Sequence, residues 1–270
     1  MKTITLAWWS AGITSAIACK IAIETYPNTR LIYIETGAAH PDNVRFKIDC
    51  ENWYGREIET VVNSKGYKNP IDVILKTKYV NGPEGARCTL ELKKEVRREV
   101  QDSYAASLFN QDAPIIQQVF GFEYVRKEVN RAIRFKQQFP ETNPKFPLIK
   151  KGVNKDNCAG LILQAGIQLP VMYKLGYPNN NCIGCVKGGM GYWNKIRNDF
   201  PTDFNNMASA ERVVGHSCIN GTFLDELLPE QGIEPRIVMP SCSSFCDIEL
   251  ADLEDVSLDS IMNNPELIEL

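Results

Sequence analysis

The sequence lacks any apolar run of the roughly 18–20 residues that a membrane-spanning helix needs. Its first ten residues carry one charge and a short apolar stretch, without the longer apolar core and small-residue cleavage site of a secretory signal. At 44% hydrophobic and 23% charged residues, the chain also differs from collagen-like and disordered proteins. We therefore expect a cytoplasmic protein with no membrane partner and a first β-strand at residues 3–9.

Basic residues are absent from residues 237–270, which hold eight carboxylates. The remainder of the chain has 30 basic and 25 acidic residues, a mild excess of positive charge that suits an anionic ligand such as a nucleotide. This excess is far below the strongly basic composition typical of nucleic-acid-binding proteins. The charge alone thus does not indicate a nucleic-acid partner.

The nine cysteines are an odd number, and a cytosolic chain rarely carries a disulfide framework. Metal binding, redox chemistry and simple burial remain the alternatives. Cys19 and Cys50 lie on apolar faces of predicted helices and are expected in the core.

Strand-like and helix-like stretches alternate along the first half of the chain. We predict strands at residues 3–9, 31–35, 72–76 and 115–120, and helices at residues 13–26, 42–54, 90–104 and 123–138. This order predicts an α/β fold: a Rossmann-like parallel sheet with helices on both faces, followed by a cysteine-bearing C-terminal extension. We place the main domain at residues 1–215 and the extension, with Cys242, Cys246 and the acidic tail, at residues 216–270.

The segment Ser-Ala-Gly-Ile-Thr-Ser at residues 10–15 lies between the first strand and the first helix. Small residues there let backbone N–H groups approach an anion, and the helix start adds unpaired donors and partial positive charge. The hydroxyls of Ser10, Thr14 and Ser15 could bind phosphate oxygens as well. A tight turn with helix caps is the alternative, and the segment is not a P-loop because no Gly-Lys-Ser/Thr follows it.

Two further segments hold residues suited to ligand chemistry. Thr36, Gly37 and His40 lie in a bend after the second strand, and ligands of open α/β sheets bind at strand carboxyl ends. Cys182 and Cys185 form a Cys-x-x-Cys pair, whose spacing suits a metal, a cluster or a redox pair and also occurs by chance.

Taken in order, these segments resemble the adenine nucleotide α-hydrolase (ATP pyrophosphatase) superfamily, in its phosphoadenylyl-sulfate (PAPS) reductase-like branch. The family motif Ser-Gly-Gly-x-Asp-Ser resembles residues 10–15, and its Thr-Gly-x-x-His/Phe-Pro-x-Thr segment resembles residues 36–42. Its Gly-Leu-Pro segment, followed by Leu-Tyr, Gly-Tyr and Cys-x-x-Cys, resembles residues 166–185. Cys88 and Lys93 match a cysteine-bearing helix start with basic residues, and Arg131 follows a looser Gly-aromatic match.

The resemblance implies a site for an adenine nucleotide, ATP or PAPS. The matching positions are Ser10, Gly12, Thr14, Ser15, Thr36, Gly37, His40, Lys93 and Arg131.

Adenylyl-sulfate reductases of this family bind a 4Fe–4S iron–sulfur cluster. The resemblance implies ligation here by Cys88, Cys182 and Cys185. A closed site needs a fourth ligand, for which Cys246, Cys242 and Cys158 are the candidates. The alternatives are a zinc site formed by Cys182, Cys185, Cys242 and Cys246, or reduced cysteines without metal.

The implied function is a PAPS reductase-like enzyme acting in sulfur transfer or sulfonucleotide reduction. Thr14 stands at the position of the motif Asp, the Ala11 methyl group could crowd the turn, and the Glu-Cys-Gly-Leu/Ile-His segment that carries the reductase thiol is absent. Two alternatives therefore stay open: ATP-dependent sulfur modification of nucleic acid with an iron–sulfur cluster, and non-catalytic nucleotide binding with a structural metal. A sulfur donor protein and a second copy of the chain are further possible partners.

Overall fold

The central strand of the protein, Thr3–Trp9 (β1), is buried on both faces, as the continuous apolar run at the start of the chain predicts. The computed structural model describes residues 3–83, 85–106, 114–233 and 236–240. Its sheet has five strands, all parallel, in the order β3-β2-β1-β4-β5. The other strands are Thr29–Ile34 (β2), Ile58–Val61 (β3), Ile115–Val119 (β4) and Pro144–Lys145 (β5).

Helices connect these strands and continue after them. In the described residues they are Ile13–Thr25 (α1), Asn43–Tyr54 (α2), Pro70–Thr77 (α3), Arg87–Thr89 (α4), Glu95–Ala106 (α5), Arg126–Gln138 (α6), Pro147–Lys150 (α7), Lys155–Gln164 (α8), Val171–Lys174 (α9), Met190–Asp199 (α10) and Pro201–Val214 (α11). A π-helical turn, Leu90–Lys94, joins α4 to α5, and short 3₁₀ turns span Pro140–Thr142 and Leu224–Glu226.

Both faces of the sheet are covered, because alternate β1 side chains enter different cores. Ala7 and Trp9 pack with residues of α1, α2 and α8. Leu6 and Trp8 pack on the opposite face with residues of α5 and α6. The predicted Rossmann-like α/β fold with helices on both faces is confirmed.

A third apolar cluster lies away from the sheet and joins α3, α10 and α11. Trp193 is fully buried at its centre, and Leu224 and Leu227 pack into it from beyond residue 215. Residues 216–227 therefore contribute to a core shared with the preceding helices. The predicted domain boundary stays a prediction, and Cys242, Cys246 and the acidic tail lie outside the described residues.

The prediction of a strand at residues 72–76 is wrong. These residues belong to α3, which begins at Pro70 and is capped by the Asn69 side chain accepting from the Asp72 amide at 2.9 Å. The third strand is instead Ile58–Val61, a short edge strand with a single buried residue. Only two of its four residues are apolar and they are not adjacent, so a search for apolar runs does not find it.

The seven cysteines within the described residues are all free thiols. Cys19 and Cys50 are buried, as predicted, and Cys158 and Cys218 are buried as well. None of the described helices is both long and apolar enough to span a bilayer.

Candidate functional site

A cavity of about 620 Å³ opens where β1 and β4 end at the carboxyl edge of the sheet. The chain runs from β1 through α1 to β2 on one side, whereas β4 lies on the other side, so this edge is the switch point of the sheet. Open α/β sheets bind ligands at such switch points. Its walls include Trp8, Ile32, Ile34 and Phe120, which offer an apolar surface to a planar group.

The predicted turn between β1 and α1 forms one wall of this cavity. Gly12 is the N-cap residue of α1 and makes no side-chain hydrogen bond to the first amides of the helix. As at every helix start, these amides have no acceptor within the helix itself. Ser15 Oγ accepts from the Ser10 amide at 2.9 Å and donates to the Gly12 carbonyl at 2.8 Å, which fixes the shape of the turn. The Tyr173 hydroxyl accepts from the Ile13 amide at 3.4 Å.

Ala11 adopts the left-handed conformation with φ of 59°, which costs a non-glycine residue about 1–2 kcal/mol. Its carbonyl accepts from Asn180 Nδ2 at 2.7 Å, and the same nitrogen donates to Asn43 Oδ1 at 2.7 Å. Asn180 thus stabilises the unusual backbone. The Ala11 methyl group is fully buried in the core beneath the turn and leaves the cavity open.

Gly121, just after β4, allows the strand end to approach α1 closely. A Cβ at this position would come within 2.7 Å of the Ser15 backbone nitrogen and Cα. Real Cβ atoms do not tolerate that distance to backbone, so only glycine fits here. At this end of the cavity the backbones of Gly121 and Ser15 are therefore in direct contact.

Positive charge dominates the cavity wall. Six cationic side chains line it, namely Lys93, Arg97, Lys127, Arg131, Lys155 and Lys187. The two carboxylates in the wall are already paired: Glu123 with Lys155 at 3.3 Å and Glu128 with Arg131 at 3.0 Å. Such a wall attracts an anionic ligand.

Seven of the nine predicted nucleotide-site residues line this one cavity, namely Ser10, Gly12, Thr14, Ser15, Thr36, Lys93 and Arg131. Gly37 and His40 are not among the lining residues. Gly37 has φ of +73° and packs against the Lys68 carbonyl. His40 accepts from the Asp42 amide at 3.1 Å and packs edge-on against Phe200, so both have structural contacts in the loop before α2.

Three of the predicted metal ligands meet beside the cavity. Cys88, Cys182 and Cys185 line one small hollow together with Thr36, Lys93 and Lys187. Of the three, Cys182 also lines the large cavity, and its Sγ lies 3.0 Å from Thr36 Oγ1. The Cys-x-x-Cys loop is held in place by the Ile183 amide donating to the Ala38 carbonyl and by the Cys185 amide donating to the Tyr192 hydroxyl, both at 2.9 Å.

Burial and the neighbouring Cys185 and Cys182 raise the pKa of Cys88 to about 11, although Lys93 and Lys187 oppose the shift. Burial also raises the pKa of Cys185. Both groups are therefore neutral thiols at neutral pH.

The described thiols alone do not supply a metal-binding set. Within the part of the chain that the structure describes, no three cysteine, histidine or carboxylate side chains form a group that could hold a metal ion. The hollow measures only about 30 Å³, and the predicted fourth ligand, Cys246, lies outside the described residues.

Sequence reasoning missed Arg97, Lys127, Lys155 and Asn180 as site residues. Lys127 precedes Arg131 by four residues, so a helix over both places them on one face, a signal that was available. Asn180 lies in a run of three asparagines before Cys182 and carried no motif of its own. Arg97 and Lys155 reach the cavity only through the packing of α5 and α8.

Comparison of the chain with protein-family models gives no match. A comparison with curated proteins also gives no match.

Proposed function

We propose that this protein is an enzyme that binds an adenine nucleotide, ATP or PAPS, and acts in sulfur transfer or sulfonucleotide reduction. One observation carries the proposal: the start of α1 opens into a cation-lined cavity at the switch point of the sheet, and a cysteine thiol lies in the wall of that cavity. The PAPS reductase-like resemblance of the ordered motifs supports the choice of nucleotide and chemistry.

In this proposal the phosphates lie against the turn at residues 10–15. Amides in the first turn of α1 donate to the phosphate oxygens, and the partial positive charge of the helix end favours the anion. Arg131 and Lys93 lie in the same wall and neutralise the remaining charge, Arg131 with two parallel hydrogen bonds. The base packs on the apolar surface provided by Trp8, Ile32 and Ile34.

Cys182 is the thiol that this arrangement presents to the nucleotide. It is half-buried, it lines the cavity, and the Thr36 hydroxyl lies within hydrogen-bonding distance of its sulfur. Lys93 and Lys187 border the same hollow and place positive charge near this sulfur. Cys88 and Cys185 are close enough to line that hollow and can act as partner thiols.

Calorimetric titration with ATP and with PAPS tests the binding step. Ser15→Ala removes the hydroxyl that shapes the turn, and we expect the dissociation constant to rise roughly three- to tenfold, the loss of about one hydrogen bond. Ser103→Ala is the matched control, because that hydroxyl also donates to a carbonyl three residues back but lies on the exposed face of α5. Equal affinities for both variants would contradict a nucleotide held at this turn.

Measurement of turnover distinguishes an enzyme from a protein that only binds the nucleotide. Purified protein is incubated with ATP or PAPS and a dithiol reductant, and release of AMP, adenosine bisphosphate or sulfite is measured. We expect turnover that Cys182→Ser abolishes while nucleotide affinity changes less than about twofold. Nucleotide binding without turnover under these conditions would favour the non-catalytic alternative.

A further inference from the structure

Helix α6 exposes a face of unusual composition beside the cavity. Arg126, Lys127, Asn130, Arg131 and Arg134 are all exposed, and at about 100° per residue they fall on one side of the helix. Val129 and Ala132 on the opposite side are buried against the sheet. We call these five exposed residues the α6 face.

The positive charge of the α6 face is largely unneutralised. Glu128, the single carboxylate of the helix, pairs with Arg131 at 3.0 Å. In the part of the chain that the structure describes, Arg126, Lys127 and Arg134 have no carboxylate partner. This local concentration contrasts with the net charge of −3 of the whole chain.

The α6 face is continuous with the cavity, because Lys127 and Arg131 belong to both. The Arg131 guanidinium carbon lies 4.2 Å from the centre of the Phe122 ring, a cation–π contact in the wall of the cavity. Arg97 lies in the same wall, 5.3 Å from the Phe120 ring. Planar guanidinium groups held on aromatic rings stack with nucleobases and bind phosphates with two hydrogen bonds.

We propose that the α6 face binds the phosphate backbone of a single-stranded nucleic acid and directs one of its nucleotides toward the cavity. A lipid surface fits less well, because none of the exposed large apolar side chains lies on α6. An acidic peptide would use the charges but not the stacked guanidinium groups. The docking of the strand does not depend on the proposed function. Only the further step, in which the bound strand is the substrate of the sulfur chemistry, rests on that function.

Fluorescence anisotropy with labelled single-stranded DNA and RNA, titrated with the full chain at several salt concentrations, tests the proposal. Arg126→Ala/Arg134→Ala removes two cations that do not line the cavity. We expect affinity to fall roughly tenfold and the slope of log K against log salt to become shallower by about 1.4, or 0.7 for each phosphate that the variant no longer neutralises. DNA and RNA titrations show which sugar is preferred.

The matched control is Arg30→Ala/Arg56→Ala, which removes the same charge from exposed residues near the amino end of β2. It should leave oligonucleotide affinity unchanged. Equal losses in the two double variants, no binding by the unmodified chain, or equally tight binding of a polyglutamate peptide would each overturn the proposal.

ATP titration of the same proteins separates this inference from the proposed function. Arg126→Ala/Arg134→Ala should keep its ATP affinity while losing oligonucleotide affinity, since neither side chain lines the cavity. If the unmodified chain bound oligonucleotide but neither ATP nor PAPS, the proposed nucleotide site would be refuted, whereas oligonucleotide binding by the α6 face would still be supported.

Discussion

At the scale of single residues, two glycines with nearly the same backbone angle distinguish the cost of backbone strain from the cost of a steric clash with neighbouring atoms. Gly37 has φ of +73° and Gly66 has φ of +72°, but a Cβ on Gly37 would come 1.8 Å from the Lys68 carbonyl oxygen, whereas one on Gly66 meets nothing within 4 Å. We expect Gly66→Ala to lower the free energy of unfolding by about 1–2 kcal/mol and Gly37→Ala by ~3 kcal/mol or more. Urea denaturation of both variants measures the difference, and equal losses would contradict the close contact.

Thiol reactivity provides a second prediction at this scale. Because burial raises the pKa of Cys88 to about 11, this residue is protonated at neutral pH. We expect iodoacetamide to modify Cys88 in the native protein slowly at pH 7, and the rate to rise about tenfold per pH unit up to about pH 11. Peptide mass spectrometry follows the reaction; a rate that levels off below pH 9 would contradict the buried environment.

The contrast between Gly37 and Cys182 shows what the sequence can reveal about single residues. Both belong to segments that the motif order identified, yet Gly37 supports a loop and Cys182 lines the cavity. A motif predicts that a segment lies near a ligand, because the strand end brings the whole bend there. It cannot tell which side chains point inward, because the direction depends on contacts such as that between Thr36 and Cys182.

At the scale of elements, the wrong strand prediction has a specific physical cause. The run from Ile71 to Leu75 is short and apolar, and periodicity alone does not distinguish a buried strand from a helix of that length. The deciding signals were Asn69 and Pro70, a cap followed by proline at the first helical position. Long segments such as α1 and α6 were predictable because several turns repeat the same pattern.

The cap of α3 gives the prediction for this scale. Asn69→Ala removes the acceptor for the Asp72 amide, so we expect the free energy of unfolding to fall by about 1 kcal/mol. Asn206→Ala on the exposed side of α11 serves as control, since alanine has the higher helix propensity and should cause no loss. Thermal unfolding of the two variants checks the sign of each effect, and a loss in the control alone would argue against the cap.

At the scale of the whole molecule, the fold gathers charge that the sequence disperses. Lys93, Lys127, Lys155 and Lys187 are roughly evenly spaced in sequence, yet all of them line one cavity. Net charge could not reveal this arrangement, because it includes the acidic residues after position 236 and ignores position in space. The parallel sheet was predictable from the alternation of strands and helices. The strand order and the convergence of separate helices on the carboxyl edge of the sheet required the structure.

The response of stability to alkaline pH also belongs to the whole molecule. Burial raises the pKa of Cys50 to about 12 and those of Cys19 and Cys158 well above their usual value of 9.0. The unfolded chain therefore loses these protons first, so their contribution to stability is complete below about pH 9 and is lost as the pH rises toward the folded-state values. We expect the free energy of unfolding to fall between pH 9 and 11 by about 1.4 kcal/mol per pH unit for each such thiol.

Urea titrations across this range test how steeply the free energy of unfolding falls with pH. Cys50→Ala should reduce this slope by the contribution of one proton, even though the cavity that it leaves lowers stability at every pH. A slope that is the same with and without Cys50 would mean that this thiol ionises in the folded protein as readily as in the unfolded chain.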